Sequence, residues 1–337
     1  MNKQGRLVLS LIIFILPVFI LCCCTPVENA GGPETVIPAG RQVQVVIEEG
    51  MNLTQIAEIL EEAGVVDNAF LFRLFVQQKE KEKNLAPGIY DMVTGSDYGT
   101  VLEQLTAGPP VVTYNVTIPE GYTVTDIVEK YSSELSFIGT EEMEKAVLIE
   151  NYQYDYLLGY ESLEGFLFPK TYEILMGYGA ADIIDMMLAQ YHYETGDLDY
   201  TGAEEKNLSR YDILIIASMV EREAYIPEER ELISAVIHNR LDLGMALGID
   251  ATLTYYLKKW DEPLTESDLE TDTLYNTRIY SGLPPTPICN PGLASIKAAL
   301  EPAEVDYLYF VVTDSQTHEH SFTDDYNEHL NNIENAR

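Results

Sequence analysis

The 337 residues carry 20 Lys plus Arg against 55 Asp plus Glu, a formal charge of −35, and 46% of them are apolar. That apolar content supports a sizeable core, in two folded parts once the N-terminal stretch is set aside. The acidity excludes binding to nucleic-acid backbones and holds the surface off an anionic membrane face, and it reads as a solubility feature.

The chain opens on a membrane segment. Lys3 and Arg6 precede "LVLSLIIFILPVFILCCC", an uncharged run from Leu7 to Cys24. The run is just long enough to span a bilayer as a single pass, and its basic flank predicts a cytoplasmic N-terminus with the remainder outside the cell membrane. It is long for a cleaved signal peptide, and no small-x-small cleavage site follows it. Cys22, Cys23 and Cys24 sit at the outer edge, where lipoprotein anchoring is the competing reading; Cys instead of Gly or Ala before the last Cys counts against it. Only Cys289 lies beyond, so no internal disulfide is expected in the exported part. Residues 25–42, rich in Pro, Gly and polar side chains, read as a tether.

A small subdomain is predicted over residues 43–113. Its first strand and turn, "VVIEEGMNLTQI" from Val45, recur weakly as "VTIPEGYTVTDI" from Val116. Each copy alternates into a strand, turns at Gly50 or Gly121, and starts an amphipathic helix. Leu53, Ile56, Ala57 and Leu60 supply the apolar stripe of the first helix. A second helix from Ala69 to Lys79 and an extended "PGIYDMV" complete a strand-helix-helix-strand order. That order resembles a LysM-type module, a fold used on cell-wall glycans; a packing subdomain without a ligand remains the alternative.

Residues 114–337 are expected to form a larger α+β domain. In "SLEGFLFPKTYEI" (Ser162 to Ile174) the aromatics and Pro after Gly165 suggest a strand entering a tight turn. "RYDILIIASMVEREA" is a helix whose Ile213, Ile216, Ala217, Val220, Glu223 and Ala224 fall on one face. Glu223 therefore continues an apolar stripe, while Glu221 points to the opposite side. A carboxyl on an apolar face loses hydration, which raises its pKa into the range a proton donor needs near neutrality. A salt bridge from Glu223 to Arg230 or Arg240 is the bland alternative. Pro227 suits the start of a further helix that stops at Gly244. The five His are scattered except for His318 and His320, which point the same way on a strand and read as a hydrogen-bonded pair beside the cleft. Without a companion ligand they do not form a zinc site, and no metal or cofactor is expected. Neither a Ser-x-x-Lys acyl-enzyme motif nor a Gly-rich phosphate loop is present, so a transpeptidase or nucleotide enzyme is not supported.

The segments "LEGFLFP", "ASMVEREA", "HNRLDLGMAL", "DATLTYYL", "YNT", "GLPPTPICNPG", "YLYFVV" and the "H-S-F" ending at Phe322 run in one consistent order from Leu163 to Phe322. Together they resemble the endolytic murein transglycosylase family, membrane-anchored enzymes that cut nascent peptidoglycan glycan strands. The resemblance implies that Glu223, the second carboxylate of the Glu-basic-Glu motif, is catalytic. It further implies that Glu221, Asn239, Arg240, Asp250, Thr252, Tyr255, Tyr275, Asn276 and Thr277 line or support the cleft, with the turn Gly282, Leu283, Pro284 and Pro285 as one wall. Partners implied are peptidoglycan strands, the cytoplasmic membrane and cell-wall synthases. By the same resemblance, one Glu protonates the glycosidic oxygen after MurNAc and then takes the proton of that sugar's C6 hydroxyl, which closes on C1 as a 1,6-anhydro end without water. Asp250 or the substrate's N-acetyl group is expected to stabilise the intervening charge. The chain departs from the family at Gly248, where Gln is common, and at Ala251, where Pro is frequent. Two readings follow: an active transglycosylase, favoured by the intact "E-R-E" and "YNT", and a peptidoglycan-binding scaffold of the synthesis machinery with weak catalysis, towards which Gly248 leans.

Overall fold

The computed structural model describes residues 38–314 and 316–336. The membrane segment expected at the N-terminus lies outside them; among the described residues no helix is long and apolar enough to cross a membrane. The chain divides into two compact units between Pro110 and Val111.

In the first unit, β1 (Gln42–Ile47) and β2 (Gly88–Val93) pair antiparallel, from Gln42 opposite Val93 to Ile47 opposite Gly88. Alternation buries Val45, Ile47, Tyr90 and Met92 on one face. They share a core with Ile56, Ala57 and Leu60 of α1 (Leu53–Glu62) and Phe72 and Val76 of α2 (Ala69–Gln78). Helix α1 starts where Asn52 and Gln55 cap each other: the Asn52 side chain accepts the Gln55 amide, and the Gln55 side chain accepts the Asn52 amide. A third helix, α3 (Tyr98–Ala107), was not anticipated; Asp97 caps it, and Val101, Leu102 and Leu105 join the same core. The expected tether also ends earlier than Gln42. The Gly40 amide donates to the Thr94 carbonyl and the Thr94 hydroxyl to the Pro38 carbonyl, so residues 38–41 are fastened to the chain leaving β2. Thr94 is buried, and an unpaired hydroxyl there is costly.

The second unit opens with β3 (Thr113–Thr117), paired antiparallel with β4 (Thr171–Leu175), with α4 (Val124–Glu134) and α5 (Thr140–Ala146) between them. Helices α6 (Ala180–Thr195), α7 (Thr201–Glu205), α8 (Arg210–Glu223), α9 (Arg230–Asp242), α10 (Asp250–Leu257), α11 (Glu266–Leu269) and α12 (Leu293–Leu300) follow. A hairpin of β5 (Tyr309–Val312) and β6 (His320–Thr323) and the helix α13 (Tyr326–Asn335) close the chain. The result is a mixed α+β fold with small two-stranded sheets.

Helix α8 is the axis of this unit. Every residue from Ile213 to Val220 is buried, so the helix has no polar face until its last turn, and α9, α10 and α12 pack around it. The single stripe read from its spacing is therefore only part of what it buries. Ahead of it, "LEGFLFP" does not enter a turn from a strand. The turn comes first, at Gly165 (φ +90°), and the strand begins at Thr171. A Cβ at Gly165 would come within 2.7 Å of Pro287, so backbone approach as well as φ demands glycine there.

Candidate active site

Helix α8 is fixed at its start by Ser209 and Asp212, which cap each other, and it ends at Glu223 because Ala224 is extended. Its last turn holds both carboxylates, and they face different tasks. Glu223 opens into a cleft of about 440 Å³ shared with Arg240, Gly248, Asp250, Arg278, Tyr309 and His320. The side chain is half-buried: part of its surface meets the cleft, and the rest is enclosed by protein. Burial pushes its carboxyl up to about 7, and the negative charge of Asp250 adds to the rise; the Ala251 amide in the first turn of α10 and the Arg222 guanidinium pull the other way. Ala251 supplies this amide where a proline could not.

Neither arginine weighed as a salt-bridge partner pairs with Glu223. Arg230 donates to the Ser295 hydroxyl at 3.2 Å, and Arg240 donates to the carbonyls of Leu308 (2.6 Å) and Leu247 (2.5 Å). Arg222 turns away and lies over the Trp260 ring, 3.7 Å from its centroid. A carboxyl with a raised pKa and no cation paired to it carries a proton near neutrality.

Asp250 starts α10 and is gripped by Arg278 through two bonds, 2.6 Å to Nε and 2.9 Å from Nη2. Gly248, the departure from the family pattern, sits on the cleft at φ +62° with its amide donated to the Thr277 carbonyl. A side chain there would meet the Arg240 guanidinium at 3.3 Å. Nothing in that arrangement displaces Glu223.

The other expected residues divide into cleft and frame. Arg240 lines the cleft, whereas Glu221 does not. Glu221 accepts the Gly292 amide (3.0 Å) and the Ser295 hydroxyl (2.7 Å), which caps α12. Asn239 holds the carbonyls of Val305 and Tyr307, on the approach to β5. Thr252 and Thr277 are buried and bonded to each other and to Ile249, which sets the start of α10 beside Glu223. Asn276 ties down Leu269 and Thr271. Tyr275 bonds Thr286 and stacks on Tyr256, and Tyr255 donates to Glu164. The turn of Gly282, Leu283, Pro284 and Pro285 does not form a wall of this cleft. Leu283 lines a separate cavity with Lys206 and His238, and the β5–β6 hairpin with Tyr326, His329 and Ile333 of α13 walls the cleft instead.

Three features escaped the sequence reading. Glu164 is fully enclosed, accepting from the Val124 amide, Asn290 and Tyr255, and burial pushes it up to about 8. It joins α4, the Asn290 segment and α10; only its place in the apolar "LEGFLFP" could have marked it. Arg278, the partner of Asp250, stands directly after "YNT". His320 and Glu229 form a buried pair, 2.6 Å apart, on the cleft wall. His318, expected to share a strand face with His320, lies in the hairpin turn at φ +59° against Tyr225.

Fold and cleft define an α+β protein centred on one partly open carboxyl with a raised pKa. The profile of the YceG-like family matches residues 45–335, and the chain belongs to that family. It is 32% identical over 287 residues to a Bacillus subtilis (strain 168) protein named endolytic murein transglycosylase, covering 80% of this chain and 78% of that one. It is 30% identical over 301 residues to the endolytic murein transglycosylase of Streptococcus pneumoniae (strain ATCC BAA-255 / R6), where it spans 54% of the relative's length. The crystal structure of a yceG-like protein from Listeria monocytogenes superposes with a TM-score of 0.59 at 29% identity, covering 87% of this chain and 99% of that one.

Proposed function

We propose that the chain is an endolytic lytic transglycosylase of peptidoglycan, with Glu223 as its acid and base. The observation that carries this reading is the state of Glu223: open to the cleft, without a paired cation, and raised to about 7. Such a group is protonated often enough to protonate a glycosidic oxygen, and its conjugate base is strong enough to recover a proton from a hydroxyl. Enzymes that hydrolyse glycosides place a second carboxylate across the bond to activate water or attack the sugar. Here the other carboxylate of the cleft, Asp250, is engaged by Arg278 at both oxygens. It acts as a fixed negative charge facing the oxocarbenium-like centre, while the C6 hydroxyl of the MurNAc unit closes on C1. No water enters the product.

In this reading the N-terminal run anchors the protein to the cell membrane with the catalytic unit outside, close to strands as cell-wall synthases make them. The LysM-like unit, residues 43–113, positions the strand, and residues 114–337 cut it. Cleavage of glycan strands in water enriched in oxygen-18 tests the chemistry. Products free of the heavy isotope at the new MurNAc end are expected, and its incorporation there would identify a hydrolase.

A further inference from the structure

The cleft holds one more group poised for chemistry, the pair formed by Glu229 and His320. Glu229 ends the short turn Pro227–Glu229 before α9, and His320 begins β6. Both oxygens of Glu229 serve this one residue: Oε1 accepts the His320 backbone amide at 2.9 Å, and Oε2 meets ring Nδ1 at 2.6 Å. A carboxylate that accepts at both oxygens leaves Nδ1 as the donor, so in the neutral ring the lone pair is on Nε2. Phe310 meets the imidazole edge-on at 5.4 Å and Phe322 flanks it at 6.0 Å, which restrains ring rotation. Nε2 has no hydrogen-bond partner among the described residues, and the ring, whose side chain keeps 3% of its surface exposed, lines the same cleft as Glu223.

The charged groups of the cleft then sort by direction; His329 lines it too, stacked on Tyr309. Asp250 and Arg278 satisfy each other, and Arg240 is spent on backbone carbonyls. A protonated Glu223 offers a hydrogen, and Nε2 offers an acceptor. That pairing matches a sugar whose glycosidic oxygen receives a proton while a neighbouring hydroxyl gives one up.

We infer that His320, held by Glu229, binds a hydroxyl of the reacting sugar at Nε2 and aims the attacking C6 oxygen at C1. The inference rests on the transglycosylase reading for the identity of that hydroxyl. His320 touches the substrate and Glu229 is a positioning residue. In the bound complex the C6 hydroxyl points its single hydrogen at Nε2. Once Glu223 has given its own proton to the leaving oxygen, that hydrogen swings to the Glu223 carboxylate as the C6 oxygen bonds C1, so the pair adds orientation and no net proton transfer.

The test uses the full-length chain, labelled with nitrogen-15 at its five histidines. In the wild type the His320 signals should show the proton on Nδ1. In Glu229→Gln the amide oxygen can keep the backbone amide only by turning its NH2 towards Nδ1, which moves the ring proton to Nε2 and converts the acceptor into a donor. Turnover should fall about 10- to 100-fold, with KM little changed, because the attacking group is misaimed. His320→Gln, which can place an oxygen near the position of Nε2, should keep more turnover than His320→Phe, which preserves the aromatic packing alone. A purely structural pair would instead lower thermal stability without a tautomer change or a selective loss in kcat. The inference is overturned if wild-type His320 carries its proton on Nε2, or if Glu229→Gln and His320→Phe both turn over at the wild-type rate. A separate titration keeps the test decisive if those variants fail to fold or if the wild type proves not to make anhydro ends. Uncrosslinked glycan strands added to Glu223→Gln, with the pair intact, should shift the His320 Nε2 signal. An unmoved signal removes His320 from the binding site whatever reaction the protein performs.

Discussion

Replacing Glu223 by Gln should make the protein more stable above neutral pH, and by an amount that depends on pH. The folded carboxyl stands at about 7 against an ordinary value of 4.5. Because the folded value is raised, the neutral form suits the fold; its advantage is complete below about 4.5 and is lost as pH climbs to about 7. At about 1.4 kcal/mol per pH unit, the shift sets a ceiling of about 3 kcal/mol on the cost of ionisation. Water in the open cleft offsets part of that cost and leaves about 1–2 kcal/mol. For a unit of this size, that amounts to a rise in Tm of about 2–8 °C in the glutamine variant at pH 8. The assay is thermal unfolding of both proteins from pH 4 to pH 8. The gap should be largest at pH 8 and close towards pH 4, since every other titrating group is common to the pair. A gap that ignores pH, or a wild type more stable than the variant at pH 8, would refute the assignment of a desolvated carboxyl at this position.

Three further outcomes follow from the surrounding contacts. Glu221→Ala should cost about 1–2 kcal/mol in urea unfolding, because the Gly292 amide and the Ser295 hydroxyl lose their acceptor, while kcat of the folded fraction stays near normal. Tyr255→Phe should cost a similar amount, about 1–2 kcal/mol, and raise the Glu164 pKa further, since the phenol now helps its ionised form; the carboxyl stretch followed by infrared titration reports the change. Asp250→Asn should lower the Glu223 pKa by removing a repelling charge, so the alkaline limb of the kcat profile moves to lower pH and the maximum rate falls.

Local patterning exposed the elements whose signal is local. The Leu53, Ile56, Ala57 and Leu60 stripe, the turns at Gly50 and Gly121, and the spacing that set Glu223 apart from Glu221 all lie within a few residues of the groups they affect. Helix α3 carries a local signal too, since Asp97 precedes buried Val101, Leu102 and Leu105 at helical spacing, but the strand-helix-helix-strand order is already complete at β2 without it. What the sequence hid depends on partners far along the chain. Ser295, which gives Glu221 its capping task, stands 74 residues away, and Glu229 is 91 residues from His320. The wall of the cleft shows the same limit. The Gly282–Pro285 turn carried the more specific motif, yet the hairpin and α13 occupy the place assigned to it, and only tertiary packing decides that.

The central claim is that one carboxyl, Glu223, cuts glycan strands without water. Its most direct test is mass spectrometry of uncrosslinked peptidoglycan strands after incubation with the wild-type protein and with Glu223→Gln. Strands ending in 1,6-anhydroMurNAc from the wild type, and none from a variant that remains folded, are the predicted result. Reducing MurNAc ends from the wild type, or anhydro ends from the variant at an undiminished rate, would contradict it.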